Sequence, residues 1–228
     1  MTMGSPSESS AVVETRLVHE VHRLATTLLA EAAARHSVPL GALAQLRDFL
    51  VVNLRHHHET EDHDLWPQIV AAAPGMATAL DDLSEEHEEL EDALDHLAAV
   101  NLSDDESKSD KAGATGAAGG AGVRVALRDA AEAVRAIVHD HLAHEEPLLL
   151  PALRDHVSPA AWQDFAQRVI ATTPPVAGHL MVGFLDEAGT PGEVELVLAG
   201  LPEPVRPLLP AMRRQAADDL RILRGTGS

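Results

Sequence analysis

Apolar residues recur at helical spacing along most of the chain. Leu17, Val18, Val21, Leu24, Ala25, Leu28 and Leu29 share one stripe, which predicts an amphipathic helix from Ala11 to His36. Pro39 and Gly41 interrupt the pattern. Leu43, Leu46, Leu50 and Leu54 predict a second helix from about Ala42 to about Asp64, with Pro67 just beyond and Pro74-Gly75 closing the segment. A third, over Met76 to Val100, carries Leu80, Leu83, Leu90, Leu94 and Leu97 on one face. A fourth, with Val134, Ile137 and Val138 inward, runs from Val123 to Glu146, where Pro147 and Pro151 are expected to end it.

Two segments lack such a stripe. Residues 1–10 are Ser-rich and are expected to be disordered. Ser103 to Gly122 (SDDESKSDKAGATGAAGGAG) reads as a flexible loop between helices. Four helices with little β-branched alternation predict an all-α fold, an up-down four-helix bundle over residues 11–157. Residues 158–228 are expected to form a helical extension packed on that bundle. Ser158-Pro159 is an N-cap and N1 pair for a helix through Thr172. Short apolar segments follow near 175–187 and 192–200, then an amphipathic stretch over 203–223.

Charge and composition narrow the function. In 228 residues there are 17 Lys+Arg against 36 Asp+Glu, a net charge of −19, which disfavours nucleic acid as a partner. Cysteine is absent, which excludes disulfides, iron–sulfur clusters, thiolate zinc sites and cysteine nucleophiles. Tyrosine is absent too, so no phenolate ligand exists. No apolar run approaches the roughly 18 residues of a membrane span, and the N-terminus lacks a signal-peptide core. A soluble cytoplasmic protein with no membrane partner is expected. Fourteen histidines, clustered, are the unusual feature.

The clusters repeat. HHHETEDHDLWP (56–67) and DHLAHEEPLLLP (140–151) align on a shift of 84 residues, placing His57 on His141, Glu61 on Glu145, Asp62 on Glu146, Leu65 on Leu149 and Pro67 on Pro151. Residues i and i+4 stack on one helical face. An imidazole and a carboxylate one turn apart can therefore chelate one ion or reach two adjacent ions. Both pairs continue apolar stripes, so they point inward, where an unpaired carboxylate is costly and a cation would remove the cost. His87 lies between Leu83 and Leu90 on the third helix, with Glu91 one turn later. On the first helix His22 matches the apolar offsets of His87, and His19, further round the wheel, is the alternative. Four imidazoles with Glu61 and Glu145 as bridges make six ligands, enough for two metals. Nitrogen and oxygen ligation without sulfur suits iron or manganese, and zinc also fits.

These motifs, with EHEEL at 86–90 and VHEVHR at 18–23, resemble those of the hemerythrin-like (HHE cation-binding) domain over roughly residues 11–156. The Leu/Pro-rich tail resembles that of actinobacterial members. The resemblance implies a four-helix bundle holding a non-haem di-iron centre, two iron ions with an oxo or hydroxo bridge. Its ligands would be His22 (or His19), His57, Glu61, His87, His141 and Glu145. Oxygen-carrying members have a second histidine one turn after the third-helix ligand, where Glu91 stands here. The function implied is binding or sensing of oxygen, peroxide or nitric oxide. The alternatives are a di-iron enzyme that turns over peroxide or oxidises a small substrate, and an iron-handling or regulatory module. Glu-x-x-His, the ferritin-like order, and His-Glu-x-x-His are both absent.

Other polar residues divide by position. Glu91, His58, Asp62 and His144 are further candidate ligands. His144 would break the register of the repeat, and Asp62, Glu59 and Glu146 read more simply as a solvated face. His56, His58 and His63 flank the motif, where one could orient a ligand. His36, His96, His156 and His179 read as surface or capping residues.

Overall fold

Ser9 opens the first helix: the Val12 amide donates to its hydroxyl oxygen at 3.4 Å. A computed structural model of the chain describes residues 9–102 and 116–226, and every regular element among them is a helix. The first is α1 (Ser10–Ala33), so Ser9 and Ser10 belong to a helix start rather than to the expected disordered tail. Residues 1–8 lie outside the described residues. A six-residue turn leads to α2 (Leu40–Thr60).

The rod of α2 does not stop near Asp64 as expected. It passes through a π-helical turn, Glu61–Leu65, into α3 (Trp66–Ala72). Within that turn the Trp66 amide donates to the carbonyl of Glu61, five residues back. Pro67 lacks an amide hydrogen and its ring crowds the carbonyl four residues earlier. Widening the helix just before it accommodates the ring without breaking the rod. After a short 3₁₀ turn, α4 (Ala77–Ala98) returns.

The fourth bundle helix, α5 (Gly116–His156), is longer than expected at both ends. Of the loop expected at Ser103–Gly122, residues 103–115 lie outside the described residues and 116–122 are helical. At the other end α5 runs on through Pro147 and Pro151. An interior proline costs about 3 kcal/mol or more. The turns beyond it bury Leu149, Ala152 and Leu153 against Leu65, Trp66 and Ile69. At about 1.5–3 kcal/mol for each large side chain removed from water, that packing offsets the loss.

Helices α1, α2, α4 and α5 form a ring in which α1 packs on α2 and α5, and α4 on the same two. The bundle interior is not continuous oil. On α2 and the π-helical turn the stripe reads Leu54, then His58 and Glu61, then Leu65; on α4, Leu83, His87, Leu90; on α5, Leu142, Glu145, Leu149. A polar layer therefore divides the apolar interior into two clusters. One holds Leu54, Leu90 and Leu142, the other Leu65, Leu83 and Leu149.

The remaining elements are α6 (Pro159–Thr172), α7 (Gly178–Ala188), α8 (Pro191–Ala199) and, after a 3₁₀ turn, α9 (Leu209–Leu223). Ser158 caps α6 by accepting from the Ala161 amide, and Thr190 with Glu193 forms a capping box on α8. Helices α6, α7 and α8 lie against α1, and α9 covers α7. Phe184 of α7 stacks on Phe49 of α2 with ring centres 5.9 Å apart. Gly183 is where α7 meets α9, and a Cβ built there would lie 2.6 Å from the Cβ of Ala216. Among the described residues no helix is long and apolar enough to cross a membrane.

Candidate metal centre

Within the polar layer, buried donor atoms converge in two adjoining groups: His58, His87 and His141, and His19, His57, Glu61 and Glu145. In each group the donor atoms lie within 4.8 Å of one another. His87 Nε2 and His141 Nε2 are 3.3 Å apart. The two carboxylates reach between the groups. Glu61 lies 3.3 Å from His57 Nε2 and 3.9 Å from His87 Nε2, and Glu145 lies 3.6 Å from His19 Nε2 and 3.4 Å from His141 Nε2.

Three of the imidazoles are held from behind by carboxylates. His19 Nδ1 is 3.1 Å from Glu146, His87 Nδ1 is 3.0 Å from Asp62, and His141 Nδ1 is 2.9 Å from Glu86. An ionised carboxylate only accepts, so each Nδ1 carries the proton and each Nε2 turns its lone pair inward. The carboxylates are fixed in turn: Arg23 donates to Glu146 at 2.8 Å, and the Ser84 hydroxyl donates to Asp62 at 2.6 Å.

Burial sets the charge states. It pushes the His57 and His58 imidazoles well below the usual histidine range, with help from the neighbouring rings, so both stay neutral. Burial, and then the Glu145 carboxylate, pushes Glu61 well up. Burial also works to raise Glu145, but His19 and His141 outweigh it and hold that carboxyl low. For Glu146 burial again opposes ionisation, and the hydrogen bonds from His19 and Arg23 bring it down to about 2.

The donor set fits a cation. His19 Nε2, His57 Nε2, Glu61 Oε2 and both Glu145 oxygens are buried with no hydrogen-bond partner among the described residues. Each such atom costs on the order of 1–3 kcal/mol if nothing answers it. Five of them converging in one layer are the lone pairs that a metal would use.

The site differs from the sequence expectation in its details. Of the two α1 candidates, His19 enters a donor group; His22 is buried beside it, its ring centre 4.8 Å from that of His57. The apolar offsets that His22 shares with His87 favour it on the wheel, but both positions are buried, and spacing on one helix does not say which ring meets the other helices' donors. His58 joins His87 and His141, so the layer holds five imidazoles rather than four. Glu91, a further candidate ligand, is half exposed and forms an ion pair with Arg55 at 2.6 Å. His144 is also turned outward, onto Glu86 at 3.0 Å. Asp62 and Glu146, which the sequence reads as a solvated face, instead support imidazoles of the two donor groups. Glu86 was not anticipated; it reaches His141 from another helix, a relationship no sequence spacing records. His179, read as a surface or capping residue, is buried and bonds Asp219 at 2.8 Å.

The model of one protein family, described as the hemerythrin HHE cation binding domain, matches residues 13–153. Neither a curated protein nor a solved structure matches the chain.

Proposed function

The chain belongs to the hemerythrin HHE cation-binding family, and from that premise we propose that its polar layer holds two iron ions and binds or senses oxygen or a related small molecule. The observation that carries this reading is the pairing of two adjoining donor groups with two carboxylates that reach toward both. One ion would sit among His58, His87 and His141, the other among His19 and His57, with Glu61 and Glu145 shared. Nitrogen and oxygen donors without thiolate suit iron or manganese. An iron pair in this layer would supply one-electron redox change and open coordination positions for a small ligand.

The protein's own residues do the rest. Glu146, Asp62 and Glu86 fix the tautomer and orientation of three imidazoles. Burial keeps His57 and His58 neutral, so their lone pairs are free at physiological pH. The apolar clusters above and below close the layer along the bundle axis. The fifth imidazole, His58, stands in for the one that Glu91 does not provide.

Elemental analysis of the purified protein tests the reading. Two irons per chain, with absorption bands that bleach under reductant and return in air, are expected. Zinc in their place, or metal well below one ion per chain, overturns it.

A further inference from the structure

Between the bundle and the C-terminal helices lies a cavity of about 780 Å³, within the range of small-molecule sites. One wall comes from α1, α2 and the π-helical turn and includes His22, His57 and Glu61. The facing wall, from α6, α7, α8, α9 and their connections, is chiefly apolar and includes Phe165, Val182, Leu198 and Met212. That second wall lies wholly outside the residues that the family matches. The cavity thus joins the segment beyond the family match to two residues of the candidate metal centre.

We propose that this cavity is a binding site for a neutral, chiefly apolar organic molecule of the long-chain alcohol type, seated against His57 and Glu61. Charge selects the class. Among the described residues no lysine or arginine lines the cavity, whereas Glu14 and Glu61 do. An anionic headgroup would be buried without a partner, beside carboxylates and in a chain of net charge −19. A hydroxyl needs only a hydrogen-bond partner, and His22, which is 1 % exposed and belongs to neither donor group, offers an imidazole whose Nδ1 is unpartnered. The pocket stands without metal; its service to a metal centre rests on the proposed function.

The test uses the full chain and the neutral fluorophore N-phenyl-1-naphthylamine. Saturable binding at one site per chain is expected. 1-Dodecanol should displace the probe at concentrations at least tenfold lower than dodecanoate. Val176→Trp, on the connection before α7, and Ala166→Trp, on α6, fill the cavity and should each weaken probe binding at least tenfold. Circular dichroism and metal content should be unchanged, so that a failed pocket and a failed metal centre give different results. Non-saturable binding, equal displacement by alcohol and carboxylate, or full binding by both folded variants overturns the proposal. So does binding that falls as protein concentration rises, which would assign the cavity to a second copy of the chain.

Discussion

His19 Nδ1 stands 3.1 Å from Glu146 Oε1, and the same oxygen accepts from Arg23 at 2.8 Å. One carboxylate thus links an imidazole of the donor layer to the Arg23 guanidinium one turn along the same helix. Glu146→Gln can still accept, but it loses the charge that holds the ring in one tautomer. We expect metal affinity to fall roughly 10–100-fold, read by competition with a chromogenic chelator. Unchanged affinity would make the contact incidental.

His57→Ala and His141→Ala should lower bound metal sharply. Metal present at 100 times its dissociation constant stabilises by about 2.7 kcal/mol. At roughly 2–4 °C per kcal/mol for a chain of this size, the melting temperature of the loaded protein should drop by about 5–10 °C. His144→Ala and Glu91→Gln are the controls and should retain the metal of the parent.

The two α1 histidines separate by the same measurement. His19→Ala should lose metal, and His22→Asn should keep it. The opposite result would place His22 among the ligands and remove His19.

Glu14 gives a pH dependence whose sign is fixed. Burial raises its carboxyl above the ordinary 4.5, although the Trp162 indole donates to it at 3.1 Å. A carboxyl raised in the folded state favours folding while protonated, and that contribution is lost as pH rises through the folded value. Glu14→Gln still accepts from Trp162 and never ionises. It should therefore be more stable than the parent at pH 7, with the gap closing by pH 4. Thermal melts across that range check it.

Gly183 tests the docking of the C-terminal helices. Its missing side chain lets α7 approach α9, where a Cβ would lie 2.6 Å from that of Ala216. Gly183→Ala should destabilise by about 1–3 kcal/mol through overpacking, despite alanine's better helix propensity. Denaturant titration reads it.

What was legible in the sequence follows from what spacing encodes. The His57–Glu61 and His141–Glu145 pairs were legible because both members lie on one helix, one turn apart. His58 had a weaker signal: it follows Leu54 by four and precedes Leu65 by seven, so it lies on the buried stripe. Its place beside His87 depends on the crossing of α2 and α4, which no single-helix pattern contains. Glu86 and Arg55 are of the same kind, each meeting its partner only across helices. At Pro147 local propensity predicts a helix end, but the apolar contacts of Leu149 and Leu153, which no local pattern contains, prevail over it.

The division of the apolar interior by a layer of imidazoles and carboxylates has a consequence for the life of the chain. Cations that bridge the layer join two halves that otherwise share little oil, and their occupancy enters the folding equilibrium by mass action. A scarce supply leaves a larger fraction open to proteases. With a metal in the layer, the quantity of intact protein would then follow the abundance of that ion.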